Sequence, residues 1–198
     1  YAVVAPDDPL VLGCVDRLNE VGIPCFGPSK AAAIIEGSKA FSKNLMKKYG
    51  IPTARYEIFS DLDAALKYLE TAPIPTVIKA DGLALGKGVI IAATRAEAVE
   101  AVTDMMANAK FGASGSTVVI EEFLTGPEVS VLAFTDGKCV KPMVSSMDHK
   151  RIGDGDTGLN TGGMGTIAPN PYYTEDVAKR CMEEIFLPTI AAMNAENR

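Results

Sequence analysis

Residues 77–89 read V-I-K-A-D-G-L-A-L-G-K-G-V, a glycine-rich stretch framed by apolar runs and carrying two lysines, Lys79 and Lys87. Glycines let a backbone approach a ligand closely and turn several N–H groups toward an anion, and ammonium groups nearby can meet phosphate oxygens. This is not a P-loop of the Walker kind. The spacing differs, no Ser or Thr follows the lysine, and V-I-I-A beyond the loop predicts a strand where that motif needs a helix. Taken alone, the stretch fits a phosphate cradle and a glycine-rich hairpin with solvated lysines equally well.

Three further stretches carry chemistry-bearing residues. V-V-I-E-E-F-L (118–124) is an apolar strand running into Glu121 and Glu122, then Phe123 and Leu124, with Glu128 shortly after. Backbone groups beyond a buried strand can read a base edge, apolar side chains can cover its face, and a carboxylate can accept sugar hydroxyls. On this segment alone an edge strand with surface acids is the simpler reading. Asp148-His149-Lys150-Arg151 precedes Asn160-Thr161-Gly162-Gly163-Met164-Gly165, which puts cations next to open backbone and suits a carboxylate or phosphate. His149 is the single histidine and has no evident orienting partner, so a structural or substrate-contact role fits better than a general base.

Gly153-Asp154-Gly155-Asp156-Thr157-Gly158 matches G-x-G-x-x-G on paper. It lacks a clean strand before it and a helix after it, and its two aspartates would repel a pyrophosphate, so a dinucleotide site is rejected. An EF-hand fails too, since no Glu closes the loop at the required distance.

The composition bounds the remaining classes. The net charge of −6 over 198 residues argues against a nucleic-acid partner, so an anionic ligand must be held by a local basic site. Cys14, Cys25, Cys139 and Cys181 are far apart with no C-x-x-C, as expected of reduced thiols in a cytoplasmic protein. No apolar run is long enough to span a membrane. The chain opens on Y-A-V-V-A-P, a strand already under way, and stops in a helical pattern, as a piece of a longer polypeptide would.

The elements that must position these groups alternate. A strand over 1–5, a helix over roughly 9–21 and a strand over 23–27 form a β-α-β remnant. Ser38 is an N-cap for a helix with Phe41, Leu45 and Tyr49 on one face, ended by Gly50 and Pro52. Strands are predicted over 54–59, 75–80, 88–93 and 117–122. Helices lie between them, one opened by a Ser60-x-x-Asp63 capping box, the other by Thr94-x-x-Glu97. Strands over 128–135 and 139–147 flank the turn Asp136-Gly137. A polar glycine-rich loop is expected over 148–170, and Thr174 starts a last helix with Glu175 and Asp176 in its first turn.

Taken in order, G-S-K-A-F-S-K (37–43), the 77–89 loop, V-I-E-E-F-L-T-G-P-E-V-S (119–130), D-H-K-R-I-G-D-G-D-T-G (148–158) and N-T-G-G-M-G (160–165) closely resemble the phosphoribosylamine–glycine ligase family. Those enzymes of purine biosynthesis have the ATP-grasp fold. The first three stretches resemble ATP-grasp enzymes generally, and the last two narrow the match.

The resemblance implies an α/β (α+β ATP-grasp) fold. Residues 1–36 would be the remnant of an N-terminal β-α-β domain and linker. Residues 37–198 would be an ATP-grasp domain incomplete at its C-terminus, with a lid at about 54–122. It implies that Lys39 and Lys79 contact phosphate, that Gly82, Gly86, Lys87 and Gly88 cover the triphosphate, and that Glu121, Glu122, Phe123 and Leu124 hold adenine. Glu128 would take the ribose. Asp148, Lys150, Arg151, Asn160, Thr161, Gly162, Gly163, Met164 and Gly165 would face glycine and 5-phosphoribosylamine. Lys39, Lys79, Lys150 and Arg151 are the implied catalytic set.

The implied reaction phosphorylates the glycine carboxylate with ATP and then forms the amide, without a covalent enzyme nucleophile. The Mg²⁺ or Mn²⁺ ligands are expected beyond Arg198, none within residues 1–198, so this stretch alone is expected to bind nucleotide weakly without turnover. Two alternatives stay open. One is another ATP-grasp carboxylate–amine ligase, which would not be expected to carry the 148–165 block. The other is a non-catalytic nucleotide-binding module.

Overall fold

The computed structural model describes residues 1–83, 88–108 and 110–198, without the side chains of Ala113 and Asn160. Two compact units arise, one from residues 1–124 with 195–198, the other from 125–194.

In the first unit β1 (Ala2–Val3) pairs in parallel with β2 (Cys25–Phe26). Both strands are shorter than expected. The single helix predicted over 9–21 is two, α1 (Asp7–Leu12) and α2 (Cys14–Glu20). Gly13 adopts φ 94 between them, and its N–H bonds Leu10 O, closing α1 as a left-handed cap. A helix absent from the sequence reading, α3 (Lys30–Gly37), follows, with Ser29 accepting from Ala32 N. Its run of small residues carries little periodic signal.

Helix α4 (Lys39–Tyr49) is capped as expected. Ser38 accepts from Phe41 N, and Gly50 ends it at φ 67. Strands β3 (Tyr56–Phe59), β4 (Thr76–Ala80), β5 (Val89–Ala92) and β6 (Val118–Glu122) build an antiparallel sheet in the order β3-β6-β4-β5. Helix α5 (Leu62–Leu69) is capped by Asp61, which accepts from Ala64 N, and not by Ser60. Ser60 instead bonds Thr117 Oγ1 at 2.9 Å. Helix α6 (Arg95–Met106) is capped by Thr94 as expected, which accepts from Glu97 N, while Glu97 accepts one residue further back, from Ala93 N.

One sheet face packs α5 and α6. Leu69, Ile78, Val102, Met105 and Ile120 are essentially removed from solvent there, each worth roughly 1.5–3 kcal/mol of burial. Because strand side chains alternate, the inward Ile78 and Ile120 throw Lys79 and Glu121 to the opposite face. Helix α4 touches β6.

In the second unit β7 (Ala133–Thr135) and β8 (Val140–Pro142) form the expected hairpin, shorter than predicted. The pairing resumes only as a bridge between Ser130 and Ser146. Gly137 takes φ 83 in the turn, and Asp136 Oδ1 accepts from Lys138 N and Cys139 N. The predicted loop over 148–170 is mostly a second hairpin, β9 (Met147–Gly153) with β10 (Thr157–Ile167). The charged run D-H-K-R in β9 and the glycines of β10 hid the strands, since neither carries an apolar alternation to read. The G-x-G-x-x-G match is the tip of that hairpin, where Gly155 and Asp156 both have positive φ. Thr174 caps α7 (Glu175–Cys181) as expected. A π-helical turn (Met182–Phe186) carries it into α8 (Leu187–Ala195).

Candidate functional site

In the first unit the strand and helix faces just described bring four charged side chains together. Register places Tyr56, Glu121 and Val77 in one cross-strand row, with Lys79 opposite Val119. Lys79 Nζ donates to Glu121 Oε2 at 2.9 Å. Glu121 is 5% exposed, and its Oε1 lies 3.1 Å from Lys43 Nζ. That is an ion-pair distance, but the approach is out of line for a hydrogen bond, and Oε1 has no hydrogen-bond partner among the described residues. Lys43 also donates to Thr53 Oγ1 at 2.7 Å and sits over the Tyr56 ring.

Lys39, one helical turn before Lys43, donates from Nζ to Gly82 O at 3.0 Å. Burial pushes the Lys39 pKa below the usual lysine value. Asp81 and Glu36 oppose that shift, Lys79 adds to it, and Glu121 opposes it. Asp81 ties the strand end to the helix start. Its Oδ1 accepts from Ala40 N at 2.6 Å and from Ser38 Oγ at 3.0 Å, while Lys39 N donates to Asp81 O. The base of the glycine loop is closed on both sides, by Ala80 N to Gly88 O and by Asp81 N to Thr117 O. A side chain at Gly82 would meet Ser114 Oγ at 2.4 Å, so this backbone passes closer than any other residue allows. Gly86 and Lys87 lie outside the described residues.

Glu122 is occupied differently from its neighbour. Arg55 N donates to its Oε1 and Arg55 Nε to its Oε2. The backbone bond first, and then the guanidinium, hold its carboxyl below the usual range. Phe123 and Leu124 follow as exposed apolar residues at the strand end.

The second unit gathers a separate set. Alternation along β9 puts Asp148 and Lys150 on one face and His149 and Arg151 on the other. Lys150 Nζ pairs with Glu128 and lies 4.0 Å from Asp148 Oδ2. Arg151 turns to the hairpin tip, donating to Gly158 O. The four basic and acidic neighbours in sequence are therefore two pairs in space. On β10, Asn160 is opposite Arg151 but Gly165 is opposite His149, so residues between them bulge from the ladder. Thr161 Oγ1 anchors this bulge to Lys150 O and accepts from Gly163 N. Gly163, at φ 126, passes beside Asp148. Gly162 and Met164 complete the bulge. The side chain of Asn160 lies outside the described residues.

Three residues of this chemistry escaped the sequence reading. Lys43 had a signal, its i, i+4 spacing from Lys39 on one helix face. Asp81, inside the glycine motif, had none that separates a cap from a ligand. Asn170, 3% exposed, donates from Nδ2 to Glu128 O and Ser146 O and accepts from Tyr172 N. It joins segments far apart in sequence and leaves no local pattern.

Residues 37–198 match the family described as phosphoribosylglycinamide synthetase, ATP-grasp (A) domain, and residues 1–36 match its N domain. A phosphoribosylamine–glycine ligase of Haemophilus influenzae is 53% identical over 194 residues, covering 98% of this chain and 45% of that protein. The chain thus spans about half the length of the curated relatives it matches. The crystal structure of the phosphoribosylamine–glycine ligase of Thermotoga maritima superposes with a TM-score of 0.86 at 37% identity, covering 98% of this chain and 47% of that one. A biotin carboxylase of Campylobacter jejuni, at 18% identity and a TM-score of 0.72 over 91% of this chain and 39% of that one, shares the fold.

Proposed function

This chain belongs to the phosphoribosylglycinamide synthetase family, and on that premise we propose that it is the nucleotide-holding part of an ATP-dependent carbon–nitrogen ligase. The substrates proposed are ATP, glycine and 5-phosphoribosylamine, and the products glycinamide ribonucleotide, ADP and phosphate. The observation that carries the reading is the convergence of Lys39 and Lys79 on the closed base of the glycine loop, beside the buried Glu121.

The reaction asks for charge stabilisation on a transferring phosphoryl group, and little covalent chemistry from the protein. Lys39 and Lys79 supply two ammonium groups, held by the Gly82 carbonyl and the Glu121 carboxylate until phosphate replaces those partners. The backbone at the strand end, Glu121 to Leu124, takes the adenine edge while Phe123 and Leu124 cover its face. Glu128 accepts ribose hydroxyls. Lys150 and the bulge at 161–164, with Asp148, hold the carboxylate and amine partners, while Arg151 on the other face of β9 is left to the hairpin tip.

Family ligases use ATP with a divalent metal such as Mg²⁺. Among the described residues no group of three or more His, Cys, Asp or Glu side chains converges to hold one. Chemistry on small polar metabolites fits a cytoplasmic setting, and no helix among the described residues is long and apolar enough to cross a membrane.

Calorimetry with the 198-residue chain tests the nucleotide part. ATP should bind, and Lys79→Met should weaken it by more than about tenfold, the loss of one charge-assisted contact. Equal affinity in the two proteins would remove the site. For the substrates, residues 1–198 can replace the corresponding segment of the Haemophilus influenzae relative. ADP should then appear only with both glycine and 5-phosphoribosylamine, and release without glycine would overturn the assignment.

A further inference from the structure

Among the described residues the carboxylate of Glu121 has two cations, and the proposed function uses only one of them. Lys79, its side chain 28% exposed, sits 2.9 Å from Oε2. Lys43, its side chain 10% exposed, sits 3.1 Å from Oε1. Their mobilities are set by different surroundings. Lys43 Nζ is also held by Thr53 Oγ1 at 2.7 Å and lies 5.2 Å from the Tyr56 ring centroid. The Tyr56 hydroxyl in turn donates to Lys43 O at 2.7 Å, so both ends of the residue are fixed. Among the described residues Glu121 is the one partner of Lys79 Nζ.

A carboxylate buried to this degree is strongly destabilised when its last counter-ion leaves. If Lys79 were that last cation, turning its ammonium toward a phosphate would strand Glu121. With Lys43 in place the carboxylate stays paired. Oε1, which now has a cation near it but no aligned donor, can accept a straighter bond from Lys43 when Lys79 departs.

We infer that Lys43 is a positioning residue, the standing counter-ion of Glu121 that frees Lys79 to turn from that carboxylate to a nucleotide phosphate. The inference rests on the nucleotide-binding reading above and assigns a part to a residue that reading leaves idle.

The test compares wild type, Lys43→Met, Glu121→Gln and the double variant, each titrated with ATP and with adenosine by calorimetry. Removing Lys43 pins Lys79 to Glu121, so Lys43→Met should lose more than about tenfold in ATP affinity while adenosine binding stays within about twofold. Once Glu121 is neutral nothing pins Lys79, so the double variant should bind ATP within about threefold of Glu121→Gln. Unchanged ATP affinity in Lys43→Met, or equal loss of ATP and adenosine, overturns the inference, the second because it marks a role in folding alone. Should Lys43→Met fail to fold, the pair lacking the buried charge decides. A loss of more than about tenfold from Glu121→Gln to the double variant refutes the idea, and parity supports it. Wild type that binds neither ligand removes the nucleotide reading and this inference together, an outcome distinct from every variant result.

Discussion

Asp81 is a sharp test of how the glycine loop is coupled to the helix that carries Lys39. Its carboxylate accepts from Ala40 N at 2.6 Å and from Ser38 Oγ at 3.0 Å, and its backbone oxygen accepts from Lys39 N at 3.1 Å. Asp81→Ala keeps the backbone bond and the Ser38 cap on Phe41 N, but leaves the Ala40 amide without an acceptor in a half-buried setting. A hydrogen bond to a charged acceptor contributes about 1.5–3 kcal/mol, and the negative charge at the helix start adds a few tenths more. Opening of the first turn of α4 should therefore become easier by about 2 kcal/mol, which is about thirtyfold. Native-state hydrogen exchange read at the Ala40 amide measures this directly, with the Val102 amide in α6 as an internal standard that should not move. Asp81→Asn keeps a carbonyl oxygen facing Ala40 and should show only part of the effect. Ala40 exchange within about twofold of wild type in a folded Asp81→Ala chain would refute the coupling, because among the described residues Asp81 alone accepts from that amide.

Gly82→Ala should destabilise the first unit by about 1–3 kcal/mol, since the new methyl meets Ser114 Oγ at 2.4 Å and its Cβ at 2.9 Å. Urea midpoints check this, and adding Ser114→Gly should recover most of the loss. Asn170→Ala strips the donor from Glu128 O and Ser146 O inside the second unit and should cost about 2–4 kcal/mol. Faster exchange at the Ser130 and Ser146 amides would register it. Lys39 gives a pH prediction. Its pKa lies below 10.5 in the folded chain, so the unfolded chain binds more protons between that lowered value and 10.5. Its burial cost is present in full at neutral pH and is relieved as pH rises through that window, so this group's share of stability increases with pH. ATP affinity should meanwhile fall at a lower pH than for an ordinary lysine. Comparison with Lys39→Met, which should lack both trends, isolates the group.

Much of the scaffold was legible because its signals are local. Ser38, Thr94 and Thr174 cap the helices they were expected to cap, and Gly50 ends α4 at a positive φ. A cap is a bond between residues a few positions apart, so its partners are in view along the chain. Where two neighbours both qualify, locality is not enough. Asp61 takes the cap that Ser60 was expected to make, because Ser60 finds Thr117, just ahead of β6 and distant in sequence. The β9–β10 hairpin escapes the sequence for a related reason: the charged run of β9 and the glycines of β10 lack the alternation that identifies a strand, while ladder pairing does not depend on it.

The candidate site divides along the same line. Residue types and order were sufficient to pick out the family, because motifs are strings, and they proposed Lys39, Lys79, the 77–89 loop and Glu121 as its site. Which groups touch is decided by pleat and register. Alternation on β4 and β6 sends Lys79 and Glu121 to the same face, and α4 brings Lys43 to the other oxygen of that carboxylate. The same pleat separates Lys150 from Arg151, adjacent in sequence, and gives Lys150 to Glu128. Sequence determined which motifs lie at the glycine loop, though Lys43 and Asp81 escaped it. Only the tertiary structure decided their pairing, since Lys43, Lys79 and Glu121 come from three elements whose contacts are long-range and leave no trace in local spacing.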